Sequence, residues 1–228
     1  MASALTESFH SIDDLLLECN RRKRDSDWNP FIQKWYDQCE ELKSVLTISD
    51  PSSLSVALSL WEDAFTKCCN GKRSFHLLTV VNRQVFLDCF RLFFSLPDVR
   101  FSSIAKRCHK YIQGHFDPLV KTLCYELLCI LVEMDSTYVS EEADAFLSLS
   151  ARLPKCESSV EKEACLLFTS DLLAPLAECL ADPVYASFLQ SLVPSLLAAL
   201  ETPFPAVNRC FLSLAALLRT RPLPSLRP

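Results

Sequence analysis

The chain has 228 residues, half of them hydrophobic and 22% charged, with a formal net charge of −5. That balance buries enough apolar surface to offset chain entropy, so a folded chain is expected rather than a disordered one. Only two glycines occur, Gly71 and Gly114, which excludes the glycine-rich loops that approach phosphate in dinucleotide-binding folds, P-loops and kinases.

Charge is unevenly spread: net +1 over residues 1–116, −10 over 117–201 and +4 over 202–228. An acidic middle repels phosphate backbones, so nucleic-acid binding is reduced to short basic patches at the two ends. The opening "MASALTESFHSIDD" lacks a basic segment followed by an apolar core, so no secretory signal is expected and the compartment is expected to be reducing. The twelve cysteines then read as small buried hydrophobes, notably Cys89, Cys124, Cys129, Cys165 and Cys179 within apolar runs.

In chain order, apolar periodicity predicts a first helix over 8–20. "NRRKRDSD" follows, and its cations Arg21, Arg22, Lys23 and Arg24 form a candidate nuclear-localisation run, against a plain exposed loop balanced by Asp25 and Asp27. Asn29-Pro30 opens a helix over 30–46. Trp28, Trp35 and Tyr36 are candidate partner-contact aromatics, since seven residues of helix align the two indoles; core packing is the competing reading. Asp50-Pro51 opens 51–69, which ends at Asn70-Gly71 as a helix C-cap. A further helix is predicted over 75–95, with Phe75, Phe86, Phe90, Phe93 and Phe94 as core.

The helix predicted over 102–113, ended by Gly114, sets a candidate basic patch of Arg100, Lys106, Arg107 and Lys110 against Ile104, Cys108, Tyr111 and Ile112. Cys108, His109, His115 and Cys124 lack the spacing of paired zinc ligands, so no metal is expected. No nucleophile–base signature stands out among the cysteines and histidines, and no cofactor or small-molecule substrate is expected.

"DPLVKTLCYELLCILVEMD" predicts a helix over 118–134, and Lys121, Glu126 and Glu133 disqualify it as a membrane span. Helices over 140–152 and 159–181 follow, with Glu141 and Glu142 complementing a helix dipole after Ser140. Asp182-Pro183 opens 183–200, 18 residues without a formal charge. Its polar Ser187, Gln190, Ser191 and Ser195 share one face, so it reads as a buried amphipathic helix rather than a span. Pro175 and Pro194 should kink or split their helices. The last predicted helix, 205–219, carries "VNRCFLSLAALLR", which lacks a polar outer face; it is expected to be covered by a partner, by self-association or by further repeats. Residues 221–228, "RPLPSLRP", form a Pro/Arg-rich tail expected to be disordered, and Arg227 stands where an SH3 ligand needs proline.

Asp117 and Asp182 are followed at the same offsets by apolar seams: Leu119, Val120, Leu123, Cys124, Leu127, Leu128 and Leu131, and Val184, Tyr185, Phe188, Leu189, Leu192, Val193 and Leu196. Asp50 matches the later part of the pattern. The three aspartates lie 67 and 65 residues apart, which suggests stacked three-helix units over 30–219. The pattern resembles the α-solenoid class of armadillo and HEAT repeats, although those repeats run about 40 to 47 residues. The expectation is an all-α chain of stacked antiparallel helices, an irregular armadillo/HEAT-like α-solenoid, with a compact irregular bundle as the alternative. One domain is expected over 1–220. The function expected is that of a non-enzymatic intracellular scaffold or adaptor, cytoplasmic or nuclear, that binds protein partners and belongs to a larger complex. The alternatives are a nuclear subunit of a chromatin or nucleic-acid-associated complex and a membrane-associated helical protein.

Overall fold

A computed structural model describes residues 2–23, 26–97, 99, 101–135, 137–200 and 205–221. These residues are all-helical and hold eleven α-helices and no strand. The chain divides into two compact units, 1–104 and 105–228.

The first unit contains α1 (Ala2–Arg21), α2 (Asn29–Thr47), α3 (Pro51–Asn70) and α4 (Val80–Arg91), with short 3-10 turns at Ser74–Leu77 and Leu92–Ser95. Helix α1 packs on α2 and α3, and α2 packs on α4. Cross-contacts set the directions. The Lys67 ammonium meets the Asp13 carboxylate at 2.5 Å and the Arg73 backbone N–H donates to Asn20 Oδ1 at 3.0 Å, so α3 runs parallel to α1. Asn82 donates to the Ile32 carbonyl (3.0 Å), the Cys89 thiol to the Cys39 carbonyl (3.5 Å), and Lys43 pairs with Asp88 (2.9 Å), so α4 runs parallel to α2. At the centre Trp61 is fully buried, stacked on Phe86 and Phe65 with centroids 4.7 and 5.5 Å away. Its indole N–H donates to the Phe86 carbonyl at 3.3 Å, which satisfies the one polar atom of a large apolar side chain.

The second unit takes in all but the first turn of α5 (Ser102–Gly114), then α6 (Pro118–Met134), α7 (Thr137–Glu141), α8 (Ala143–Ser150), α9 (Ser159–Cys179), α10 (Asp182–Ala199) and α11 (Pro205–Thr220). Helix α9 is the hub, packed on α6, α7, α8 and α11, while α10 packs on α11. Here too the contacts advance together. Lys121 meets Glu161 and Tyr125 packs on Phe168 with ring centroids 5.7 Å apart, so α6 and α9 are parallel. The Cys210 thiol donates to the Leu166 carbonyl, Ser170 bonds Ser213, and Arg221 donates to the Ala177 carbonyl, so α9 and α11 are parallel.

Several sequence expectations need correction. The first helix starts at residue 2, six residues before the predicted boundary. The helix predicted over 75–95 is interrupted: Thr79 caps α4 by accepting from the Asn82 N–H, and the Asn82 side chain donates to the Leu77 carbonyl, closing the preceding turn. The helix predicted over 140–152 is two short helices, with Glu142 at the joint. Of the four Asx-Pro pairs, Asp50 and Asp117 cap α3 and α6 as expected, accepting from Ser53 and from Leu119 and Val120. Asn29 and Asp182 instead lie one residue inside their helices. Neither Pro175 nor Pro194 splits its helix. Gly71 follows α3, but in extended backbone (φ −70°, ψ 138°) rather than the left-handed cap conformation. What demands glycine there is space, since a Cβ would lie 2.0 Å from Ser74 Oγ and 2.8 Å from Asn20 Nδ2.

The apolar seam of α10 is buried as expected at Tyr185, Phe188, Leu189, Leu192 and Leu196, whereas Val184 is exposed. Among the described residues no helix is long and apolar enough to cross a membrane. The 65- and 67-residue spacing does not match the pairing of helices, because contacts between parallel helices join residues 38 to 54 apart. Asp117 opens a helix whose parallel neighbour is α9. Asp182 opens α10, which packs on α11.

Candidate functional site

The structure scatters the sequence-predicted candidates. Arg21, Arg22 and Lys23 are exposed at the end of α1, and Arg24 lies outside the described residues. Arg22 is engaged locally, 3.2 Å from the Glu18 carboxylate and with its guanidinium 4.2 Å above the Phe31 ring. Trp28 stacks on His76 at 4.4 Å, and Tyr36 is half-buried. Trp35 is fully buried against Phe86, 5.4 Å between centroids, so it packs the core and offers no surface to a partner. The two indoles are thus not one contact face. Lys106 and Lys110 are exposed on α5, Arg107 is half-buried, and Arg100 lies outside the described residues. Ile104, Cys108 and Ile112 form the buried side of that helix.

Among the described residues no three His, Cys, Asp or Glu side chains converge as metal ligands. His109 Nε2 lies 3.1 Å from Ser148 Oγ and 2.9 Å from Gln113 Nε2, while His115 Nδ1 accepts from the Asp117 N–H. Ser148 Oγ also donates to the Ala145 carbonyl at 2.7 Å. Residues 222–228 of the expected tail lie outside the described residues.

The densest chemistry, which sequence reading missed, is a polar seam between α6 and α9. One turn of helix separates Lys121 from Tyr125 and Glu161 from Cys165, so each pair shares a helix face, and the parallel packing brings the two faces together. The Lys121 ammonium stands 3.4 Å from Glu161 Oε1, with the two side chains 9% and 1% exposed. Glu161 occupies the third position of α9, where its N–H donates to the Ser158 hydroxyl. Burial, followed by the neighbouring Cys165 and Cys156 sulfurs, raises the Tyr125 hydroxyl far above its ordinary range. The seam continues to the end of α8. The Cys156 thiol donates to the Arg152 carbonyl at 3.6 Å and the Cys165 thiol to the Leu149 carbonyl at 3.9 Å. The neighbouring Cys165 thiol, then burial, raises the Cys156 thiol well above its usual range. The one signal in the sequence was a Ser-x-x-Glu capping pattern at Ser158, which located the helix start but not the lysine that Glu161 faces.

A second feature is apolar. Leu197, Leu200 and Val184 on and beside α10 and Leu212 on α11, the last 72% exposed, are large hydrophobic side chains at the surface. Between α9 and α11 lies a groove of about 670 Å³ floored by Ala174, Ala177, Ser213 and Ala216. The outer face of α11 is mixed rather than purely apolar, since Asn208, Arg209 and Arg219 are exposed beside Leu212. Arg209 leans on Asp171 at 2.5 Å. Comparison of the chain with family models, curated proteins and solved structures gives no match.

Proposed function

We propose that the protein is a non-enzymatic intracellular scaffold or adaptor whose helices form an irregular α-solenoid of the armadillo/HEAT kind and present a surface to another protein. The observation that carries the reading is the repeated parallel register: α2 with α4 in the first unit, and α6, α9 and α11 in the second. Helical-repeat chains are built in this way, each repeat contacting its neighbours, and they use the resulting faces for protein contact. The exposed Leu197, Leu200 and Leu212 supply apolar anchors of the sort that interfaces bury. A cytoplasmic or nuclear setting accords with twelve free cysteines, most of them buried.

The test is quantitative affinity purification from cells of the tagged chain and of an L197R/L212R double variant with unchanged helical circular dichroism. The reading predicts a discrete protein set recovered by the parent and depleted at least tenfold by the variant. Recovery of the same set by both, or turnover of a small molecule by the purified chain, would overturn it.

A further inference from the structure

We propose that the edge of the first unit where α1 and α3 end binds single-stranded nucleic acid, through its phosphates and the faces of its bases. The Arg73 backbone N–H donates to Asn20 Oδ1 at 3.0 Å, a bond that ties the loop after α3 to the end of α1. Arg21, Arg22 and Lys23 follow Asn20 directly and Lys72 precedes Arg73, so five cations from two segments of the chain meet at this bond. Arg73 is half-buried and the other four are exposed. Arg22 is 3.2 Å from the Glu18 carboxylate. Among the described residues Arg21, Lys23, Lys72 and Arg73 pair with no carboxylate, whereas Lys43 and Lys67 of the same unit pair with Asp88 and Asp13.

Aromatic rings stand beside these cations. Trp28, just before α2, stacks on His76 with centroids 4.4 Å apart and planes 20° apart, and His76 leans on Phe75 at 4.3 Å. All three are half-buried, so each ring keeps some contact with solvent. Phe31 meets Trp28 edge-on at 6.1 Å and carries the Arg22 guanidinium 4.2 Å above its face, which joins the rings to the cations.

Cations beside aromatic rings suit a chain of phosphates carrying unpaired bases, because every base offers a π-face to a ring. A duplex hides those faces, and an acidic peptide lacks them. Compensation of local negative charge accounts for only part of the patch. The carbonyl ends of α1 and α3 carry about half a negative charge each, and with Glu18 and Asp27 they leave about two positive charges in surplus. Arg24 and Asp25 cancel one another in charge. The net −10 over residues 117–201 belongs to the second unit, so the contact is confined to this short patch and its affinity is modest.

The experiment titrates the full chain into fluorescein-labelled 12-nucleotide oligo-dT and oligo-U, reading anisotropy and tryptophan emission; the ratio of the two affinities tells DNA from RNA. Of the three tryptophans Trp35 and Trp61 are fully buried, which leaves Trp28 as the reporter. The expected result is saturable binding with Kd on the order of 10 µM at 0.1 M salt, quenched tryptophan emission, and log K falling with log salt at a slope of about −2 to −3, as three or four phosphate contacts require. R21Q/K23Q/K72Q/R73Q should weaken binding at least tenfold. W28L should abolish the quench and weaken binding at least fivefold, and K106Q/K110Q on α5 should change neither readout, all three variants being checked for fold by circular dichroism. The assay contains no protein partner, so its outcome is separate from that of the scaffold reading. Absence of binding at 100 µM, full binding by the quadruple variant, equal competition by polyglutamate or by a duplex of the same length, or binding without a change in tryptophan emission would each overturn the assignment.

Discussion

Lys121 and Glu161 form an ion pair across the packed faces of α6 and α9, 3.4 Å apart and almost wholly removed from water. Among the described residues neither oxygen of Glu161 makes a hydrogen bond of good geometry, so charge alone holds the pair. Such a pair adds little over an apolar replacement, yet breaking it strands a charge. K121M should therefore cost about 3–5 kcal/mol of unfolding free energy. The double variant K121M/E161L should recover most of that loss. Urea denaturation of the four chains in the cycle measures the coupling.

The aromatic centre of the first unit is tested at Trp61. Its ring is fully buried on Phe86 and Phe65 and lies 4.8 Å from Phe90. W61A should lose about 3–5 kcal/mol, from lost transfer energy and an unfilled cavity. W61F keeps much of the stacking but leaves the Phe86 carbonyl without the indole N–H, and should cost about 1–2 kcal/mol. Thermal melts followed by circular dichroism separate the two.

Acidification should act through His109. Burial lowers its pKa from the ordinary 6.5, opposed by Glu142 and assisted by Arg152. The unfolded chain then takes up this proton at a higher pH than the folded chain does. The contribution is fully present above about 6.5 and is lost as pH falls from there through the lowered folded value. H109Q should flatten the fall in melting temperature between pH 7 and 5 relative to the parent chain. Equal slopes for the two would remove His109 from the account.

Gly71 should resist substitution. A Cβ would meet Ser74 Oγ at 2.0 Å, and that hydroxyl is held by the Cys68 carbonyl at 2.6 Å, so it cannot yield without breaking a buried bond. G71A should cost about 1–3 kcal/mol by overpacking. Adding S74G should restore part of it, with the Asn20 amide accounting for the remainder, as read by chemical denaturation.

Helix positions were legible because capping and periodicity are local. Asp117 followed by proline marks the start of α6, and the serine and glutamine stripe of α10 marks its wet side. The breaks at Thr79 and Glu142 were not legible. One depends on the Asn82 side chain bonding both Leu77 and the distant Ile32, the other on how two short helices meet α9. The equal seams after Asp117 and Asp182 suggested equivalent places in a repeat, but any amphipathic helix opened by Asp-Pro produces them. Which helices lie side by side is decided by contacts such as Cys210 on Leu166, and nothing in either local sequence announces them. The Lys121–Glu161 seam was hidden for the same reason: each residue alone reads as an ordinary solvated charge.

The parallel contacts that set the helix directions join residues 38 to 54 positions apart. None of these contacts has to wait for a segment at the far end of the chain, which limits the loop-closure entropy each one costs. A growing chain leaving the ribosome would meet each helix's docking surface already made, α1 awaiting α3 and α6 awaiting α9. Synthesis and folding can thus proceed in the same direction, with each new helix docking on one emitted 38 to 54 residues before it.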